Sequence, residues 1–244
     1  MNTSLTNREV TSIIRTIMDD LSVKEGYVED ALLTELKIPK RKTRRPLIVG
    51  MIGLVGSGKS TVARELAGRI GAAVIEADRI RVVLRKCRMS FDRTRLIAEN
   101  LALEALERGG NVVIDADFVD AKKRKSLLTK ARKVGARVVF VATYCDDARF
   151  DNMIGRVVIN TYSEDDLFGG APTTWKGDAE TRGRIVKLRE MMRRLPRHYR
   201  WEDKNGGRWL IKKPPCRVVA DIDTSESGKW RRQVAVCAKK LLRV

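Results

Sequence analysis

The chain has 244 residues, with 50 Lys and Arg against 31 Asp and Glu, and its formal net charge is +19. This length allows one large or two small domains, and no apolar run approaches the roughly 20 residues of a membrane span. The four cysteines are scattered and His198 is the single histidine, so the sequence indicates neither a disulfide framework nor a zinc site. With a polar N-terminus that lacks a signal-peptide core, we expect a cytoplasmic globular protein whose positive charge favours polyanionic ligands.

The first 45 residues are predicted to be a helical extension followed by a basic linker. Apolar residues at helical spacing over residues 8–21 predict an amphipathic helix, and a second short helix is expected at residues 28–36. The run KIPKRKTRR, residues 37–45, breaks the pattern and is interpreted as a solubilising linker that could also contact phosphates. The main domain is therefore expected to comprise residues 46–244.

From residue 46, short apolar strands alternate with helices, a pattern typical of a parallel sheet covered on both faces. The expected strands are PLIVGMIG, AAVIEAD, NVVIDADF, ARVVFVATYC and CRVVADIDTS, at residues 46–53, 72–78, 111–118, 136–145 and 216–225. The expected helices between them are residues 59–70, 94–108 and 121–134. The sequence therefore predicts one α/β domain with a five-stranded parallel sheet and helices on both faces.

The connection between the fourth and fifth strands, residues 146–215, is too long for a plain loop. Within it, Ile185, Leu188, Met192 and Leu195 follow one helical face, and arginines crowd the remainder. We expect this insert to be a helical, strongly basic lid over a substrate.

A phosphate-binding motif follows the first predicted strand. The segment GLVGSGKS, residues 53–60, matches G-x-x-x-x-G-K-[ST] in full and opens a predicted helix. In such a loop, backbone N–H groups converge on phosphate oxygens, the lysine reaches the β and γ phosphates and the hydroxyl binds Mg²⁺. We therefore expect Lys59 to be catalytic and Ser60 to be a metal ligand. The predicted nucleotide-binding residues are Gly53, Gly56, Ser57, Gly58, Lys59, Ser60 and Thr61.

A carboxylate and an arginine follow the second predicted strand. Asp78 is expected at the carboxyl edge of the sheet, where doubly wound folds bind ligands, and Arg81 lies three residues later. An aspartate there can orient an attacking hydroxyl and accept its proton, while the arginine holds an anionic part of the acceptor. The alternative is that Asp78 caps the next helix and Arg81 is a surface charge.

The third predicted strand resembles a Walker B strand, because NVVID delivers Asp115 near the phosphate loop. Asp115 is the predicted Mg²⁺ residue and Asp117 the predicted acceptor contact. Successive strand residues face opposite sides, so the sequence leaves open which of the two carboxylates serves the metal.

Together these motifs resemble the small P-loop kinase group that includes polynucleotide 5′-hydroxyl kinases and zeta-toxin-like sugar-nucleotide kinases. The resemblance is carried by GLVGSGKST, by D-x-x-R at residues 78–81, by NVVIDADF and by DDARFDNMIGRVV at residues 146–158. It implies a nucleoside-monophosphate-kinase-like P-loop NTPase fold with strand order 2-3-1-4-5, ATP with Mg²⁺, and an arginine-bearing lid. By motif position, Asp78 would activate the acceptor, Arg81 would anchor it, and Arg156 would be the catalytic lid arginine, with Arg149 as its rival.

The sequence is compatible with three functions. The first is an ATP-dependent phosphotransferase acting on a hydroxyl of a small anionic or nucleotide-like acceptor. The second is a polynucleotide 5′-hydroxyl kinase, in which Tyr199 and Trp201 would stack on bases. The third is a regulatory P-loop ATPase with no acceptor other than water. The sequence leaves the oligomeric state open.

Overall fold

The computed structural model describes residues 22–145, 151–172, 177–203, 208–213, 218–226 and 228–243. The predicted first helix, residues 8–21, lies outside these ranges, as do Arg149 and Cys216. Among the described residues, no helix is both long enough and apolar enough to cross a bilayer.

The main sheet has five parallel strands in the spatial order β2-β3-β1-β4-β7. These strands are β1 (Leu47–Ile52), β2 (Ala72–Glu76), β3 (Asn111–Asp115), β4 (Arg137–Tyr144) and β7 (Val218–Asp223). Because β7 is the fifth strand of this sheet along the chain, the predicted α/β fold and the order 2-3-1-4-5 are confirmed. Two short strands that the sequence did not reveal, β5 (Tyr199–Glu202) and β6 (Arg208–Ile211), form a separate antiparallel pair inside the insert.

Helices cover both faces of the sheet. They are α1 (Val23–Glu35), α2 (Lys59–Ile70), α3 (Ala77–Lys86), α4 (Thr94–Glu107), α5 (Ala121–Lys133), α6 (Asp151–Ile159), α7 (Ala179–His198) and α8 (Lys229–Leu242). The prediction for α2 is confirmed to the residue, and α4 and α5 each end one residue early. The second predicted strand was too long, because the chain turns into α3 at Ala77 and places Asp78 in its first turn.

Helix α1 begins earlier than predicted, and its start has a clear local cause. Ser22 and Glu25 form a capping box, in which the Ser22 hydroxyl accepts from the Glu25 N–H and Glu25 accepts from the Ser22 N–H at 2.7 Å. On its inner face, Val28 and Leu32 are buried in the core next to α3 and α4. The boundary at residue 45 between extension and main domain stays a prediction.

The core lies on the two faces of the sheet, and β1 contributes to both. All six residues of β1 are buried, with Ile48 and Ile52 facing the cluster under α1, α3, α4, α5 and α7. Leu47, Val49 and Met51 face the other cluster, which α2 and α8 cover. This alternation explains why a strand buried on both faces appears as a continuous apolar run.

The linker of residues 37–45 is attached to the amino edge of the sheet, away from the phosphate loop. The Arg41 N–H donates to the Gly109 carbonyl and the Lys42 N–H to the Ile70 carbonyl, each at 3.1 Å. The Lys42 ammonium donates to the Gly68 carbonyl. The linker therefore packs where helices end and strands begin.

The buried face of α7 differs from the predicted one. Gly183, Met191 and Leu195 are buried, whereas Met192 is 60% exposed and Ile185 is also exposed. Of the four residues on the predicted apolar face, Leu195 is buried and Leu188 packs partly buried against the main core, whereas Ile185 and Met192 are exposed. The true face is set by packing on Tyr162, whose ring a Cβ at Gly183 would meet at 2.3 Å, and on the main core, which includes Met191.

Asn111 at the start of β3 is fully buried and joins three segments. Its carbonyl oxygen accepts from the Leu47 N–H at 3.0 Å and from the Thr43 hydroxyl at 2.9 Å, and its amide donates to the Ile70 carbonyl at 2.9 Å. We expect Asn111→Ala to lower the free energy of unfolding by about 2 to 4 kcal/mol, because it leaves the buried Leu47 N–H without its partner and removes the bonds to Thr43 and to the Ile70 carbonyl. Urea unfolding would measure this change. Lys125→Ala, on the exposed surface of α5, is the control and should change it by less than about 0.5 kcal/mol; an equal effect of the two substitutions would contradict this role.

Candidate phosphate-binding cleft

The loop between β1 and α2 has the backbone geometry of a phosphate cradle. Gly56 and Gly58 adopt positive φ angles of 83° and 77°, and Gly58 is the N-cap residue that directly precedes α2. A left-handed conformation is strained for other residues, so glycine is required at both positions. The N–H groups of the first turn of α2 therefore face the cleft with the positive end of the helix dipole.

The base of this loop is packed tightly against β4. The hydroxyls of Ser57 and Thr143 hydrogen-bond at 2.8 Å, and the Ser57 side chain is buried. A Cβ at Gly53 would lie 2.3 Å from the Thr143 hydroxyl oxygen. Gly53 and Ser57 thus support the loop from below, whereas Gly56, Gly58, Ser60 and Thr61 line the cleft itself.

Lys59 bends back over its own loop. Its ammonium group donates to the Gly53 carbonyl at 2.8 Å and to the Leu54 carbonyl at 3.0 Å. Lysine is attached through four methylenes with rotatable bonds, so these two contacts can be exchanged for phosphate oxygens without backbone movement.

Asp115 and Ser60 meet at the other side of the loop. Asp115 is the last residue of β3, and it lines the cleft together with Ser60, whose hydroxyl is near enough to act on the Asp115 carboxylate. Burial raises the pKa of Asp115 above its ordinary value, while the positive charge of Lys59 and the nearby Ser60 hydroxyl oppose that rise. The pair offers two oxygen ligands beside the phosphate loop.

Asp117 has different neighbours. Its carboxylate accepts from the Val119 N–H at 3.2 Å and pairs with the Arg194 guanidinium of α7 at 3.0 Å. The side chain of Asp117 is almost fully buried. The structure thus brings Asp115 to Ser60 and ties Asp117 to the insert.

Asp78 and Arg81 lie together in the cleft on α3. The Arg81 guanidinium donates to the Asp78 carboxylate at 2.7 Å, and about half of the Asp78 side chain is exposed. Both residues line the same cleft as Lys59 and Ser60. The carboxylate is therefore both oriented by an arginine and open to a ligand.

Arg156 makes three hydrogen bonds with the protein. Its guanidinium donates to the Gly56 carbonyl at 3.2 Å, to the Thr224 hydroxyl at 3.1 Å and to the Thr224 carbonyl at 2.5 Å. The Thr224 hydroxyl in turn donates to the Ser57 carbonyl at 3.0 Å. Arg156 thus connects α6 with the phosphate loop and with the loop after β7, and it also lines the cleft.

The cleft has a volume of about 650 Å³ and is strongly charged. Its lining includes residues from α5 and α7 that the sequence analysis did not assign to the site. These are Lys123, Lys187, Glu190, Arg193 and Arg194. Four of them belong to the insert helix, whose arginine and lysine content was the available signal; Lys123 lies in the run KKRK, where nothing distinguishes it from its neighbours.

Lys187 is held between two aromatic rings. Its ammonium nitrogen is 5.3 Å from the ring centre of Tyr162 and 5.1 Å from that of Phe168. Burial lowers the pKa of Lys187, a shift that the positive charge of Lys59 reinforces and the negative charge of Asp78 opposes. These influences place the Lys187 charge near both the phosphate loop and the Asp78 carboxylate.

The aromatic residues proposed to stack on bases have other environments. Tyr199 is only 5% exposed and belongs to the main core. The Trp201 ring packs edge-on against Trp209 at 5.4 Å, and its N–H donates to Asp203. Neither Tyr199 nor Trp201 lines the cleft.

Comparison with known proteins bears on the fold of this region. A family model described as "AAA domain" matches residues 48–152, which span β1 to β4. The 2-phosphoglycerate kinases of Pyrococcus furiosus and Pyrococcus horikoshii are 43% and 42% identical to the chain over 74 residues. Those matches cover 30% of this chain and 24% and 25% of the relatives, so the chain matches about a quarter of the length of these curated proteins.

Among solved structures, the APS kinase CysC of Mycobacterium tuberculosis in complex with AMPPNP and APS is similar. Its TM-score is 0.50 at 17% identity, and the match covers 82% of this chain and 99% of that kinase. At this identity the similarity concerns the fold. The chain therefore has the P-loop kinase fold, and the resemblance stated from its motifs is confirmed at that level.

The contact between Gly53 and β4 can be tested by substitution. We expect Gly53→Ala to lower the free energy of unfolding by about 1 to 3 kcal/mol, because the added methyl overlaps the hydroxyls of Thr143 and Ser57. Gly68→Ala, in α2 with nothing within 4 Å of its new methyl, should instead be stabilising by up to about 1 kcal/mol. Urea unfolding of both variants would measure the contrast. If Gly53→Ala were as stable as Gly68→Ala, this result would contradict the tight packing of Gly53 against Thr143 and Ser57.

Proposed function

We propose that this protein is an ATP- and Mg²⁺-dependent phosphotransferase that moves the γ-phosphate to a hydroxyl of a small anionic acceptor. The observation that carries the proposal is that one cleft contains the phosphate loop, the Asp115 and Ser60 pair and the Asp78 and Arg81 pair. A regulatory ATPase would need the first two features; the third is a base and an anchor for an acceptor. The location we propose is the cytoplasm, where ATP and Mg²⁺ are available.

The residues beside the phosphate loop fit a magnesium ion. Mg²⁺ prefers oxygen ligands and is commonly bound by one or two protein groups together with waters and substrate phosphates. Ser60 and Asp115 offer a hydroxyl and a carboxylate that line the same cleft beside the phosphate loop. When bound, the ion would neutralise charge on the phosphates. We propose Ser60 and Asp115 for this site, with Asp117 on the acceptor side because it is tied to Arg194.

The proposed reaction divides the work between the two ends of the cleft. The N–H groups of the loop and Lys59 hold the triphosphate, while Asp78 accepts the proton of the attacking hydroxyl. The acceptor oxygen forms a bond to the γ-phosphorus, the bond from that phosphorus to the β,γ-bridging oxygen breaks, and ADP leaves. Arg81 orients Asp78 and has further N–H groups for the acceptor.

A small acceptor fits the cleft better than a polynucleotide. Tyr199 is buried, and Trp201 packs on Trp209 outside the cleft lining, so the proposed stacking platform is lacking among the described residues. The insert helix α7 instead covers the acceptor end with Lys187, Arg193 and Arg194. The curated relatives are named for a phosphorylated hydroxy acid, which makes a small anionic acceptor a reasonable candidate here.

The proposed function is tested by following labelled γ-phosphate from ATP to a panel of small hydroxy acids, sugars, nucleosides and 5′-hydroxyl oligonucleotides. We expect label on a small anionic compound, and Asp78→Asn should reduce that transfer at least 100-fold while ATP binding changes less than threefold. Asp30→Asn, on the exposed surface of α1, is the matched control, and Lys59→Ala is the blank. Label only on oligonucleotides would favour a polynucleotide kinase, and release of free phosphate alone would favour a regulatory ATPase.

Arg156 is proposed as a positioning residue that fastens the phosphate loop to the loop after β7. Its contacts are charge-assisted hydrogen bonds worth about 1.5 to 3 kcal/mol each, so Arg156→Ala should raise the KM for ATP about tenfold or more. The kcat should fall less than threefold. Steady-state kinetics would separate the two constants, with Arg189→Ala on the exposed face of α7 as the control. A kcat loss of 100-fold or more with an unchanged KM would instead identify Arg156 as the catalytic lid arginine.

A further inference from the structure

We infer that the acceptor end of the cleft contains a subsite for a phosphate monoester, so that the acceptor carries a phosphate group besides the hydroxyl that reacts. The subsite consists of Arg81, Lys123 and Arg194, called the cation cluster below. This inference rests on the proposed function, because it names the substrate class for the same cleft.

The cation cluster is assembled from three different helices. Arg81 lies on α3, Lys123 on α5 and Arg194 on α7, and all three line the cleft. Arg194 and Arg81 both act electrostatically on Lys123, so the three charges are close to one another. Three cations from separate elements converging on one side of a cleft are an arrangement that suits an anion.

The two arginines of the cluster have carboxylate partners, and Lys123 does not. Arg81 pairs with Asp78 at 2.7 Å and Arg194 with Asp117 at 3.0 Å. Within the described ranges, neither a hydrogen bond nor an ion pair within 4 Å is found for the Lys123 ammonium. Burial, followed by the neighbouring Arg194 charge, lowers the pKa of Lys123, and Asp117 only partly opposes this. The charged form of the half-buried Lys123 side chain is therefore destabilised, and a bound anion would stabilise it.

The charge balance of the acceptor end matches a dianion. Among the described residues, seven basic and four acidic side chains line the whole cleft. Lys59 and Arg156 hydrogen-bond to the phosphate loop and Asp115 lies beside Lys59, which leaves five basic and three acidic side chains for the acceptor end. They are Arg81, Lys123, Lys187, Arg193 and Arg194 against Asp78, Asp117 and Glu190. The surplus is two positive charges, and a phosphate monoester carries close to two negative charges near pH 7.

The donor geometry also favours phosphate. A guanidinium group has five N–H donors in a planar fork. The ion pair of Arg81 with Asp78, and those of Arg194 with Asp117 and, at 3.9 Å, with Glu190, therefore leave N–H donors for a phosphate. The ammonium of Lys123 supplies three more donors. A neutral sugar or polyol would leave this desolvated surplus charge uncompensated.

Binding is measured by calorimetry on the full chain saturated with AMPPNP and Mg²⁺, so that the phosphate loop is filled. The probes are glycerol 3-phosphate, 2-phosphoglycerate and ribose 5-phosphate, each compared with its unphosphorylated parent. We expect at least one ester to bind ten or more times more tightly than its parent. Lys123→Met should remove at least tenfold of that preference, while Lys122→Met, at the exposed neighbouring position, should leave it unchanged.

Folding of the variant is checked independently. Methionine keeps the stem of the lysine and removes a charge that has no partner, so Lys123→Met should melt at the same temperature as the wild type or higher. A preserved melting temperature together with lost ester preference supports the subsite. If no ester binds more tightly than its parent, or if Lys123→Met and Lys122→Met behave alike, the inference is overturned.

The outcomes separate this inference from the proposed function. Preferential ester binding that depends on Lys123, without transfer to any compound, would support the subsite and contradict the phosphotransferase. Transfer to an unphosphorylated acceptor that is unaffected by Lys123→Met would support the phosphotransferase and overturn the subsite.

Discussion

The central constraint in this structure is that β1 is buried on both faces and ends directly under the phosphate loop. Because its residues alternate between two separate clusters of the core, a slip by one residue would move each set of side chains into the cluster packed for the other set. The loop that follows is then fixed from below by the contacts of Gly53 and Ser57 with Thr143 of β4. Every polar group in the cleft is positioned relative to this fixed end.

The charged side chains of the cleft lower the stability of the folded protein. Lys123 and Lys187 carry charges in partly buried surroundings, and burial lowers the pKa of each. Nothing in core packing requires ammonium groups there, because apolar side chains of similar length would fill the same space at lower free energy. Their presence is better understood as preorganisation for ligands whose negative charges offset the cost.

Much of the fold could be predicted from the sequence, because buried parallel strands appear as apolar runs and glycines mark the ends of helices. The bounds of α2 and the place of β7 as fifth strand followed from such signals. The start of α3 did not, since EAD follows the apolar strand directly and neither a glycine, a proline nor a side-chain cap marks the boundary. The buried face of α7 was also mispredicted, because two overlapping helical stripes were apolar and only contacts with distant residues such as Tyr162 choose between them.

The candidate site was predictable in its local motifs and not in its long-range pairs. The phosphate loop and the Asp78 and Arg81 pair are close in sequence, so spacing alone indicated them. By contrast, the pairing of Asp117 with Arg194 joins residues 77 positions apart. The position of Lys123 beside Arg194 similarly depends on how α5 and α7 pack together. The spacing of residues in a single sequence does not indicate that packing.

The loop after β7 has a consequence for biosynthesis. Thr224 secures the carbonyl of Ser57 and binds Arg156, although 167 positions separate Thr224 from Ser57 in the chain. At translation rates of about 5 to 20 residues per second, the ribosome would make the loop roughly 10 to 30 seconds before the residue that completes its support. A nascent chain would thus contain the phosphate-loop motif before Thr224 is available to support the loop. A protein truncated shortly before β7 would contain the motif and lack the Thr224 contacts to Ser57 and Arg156.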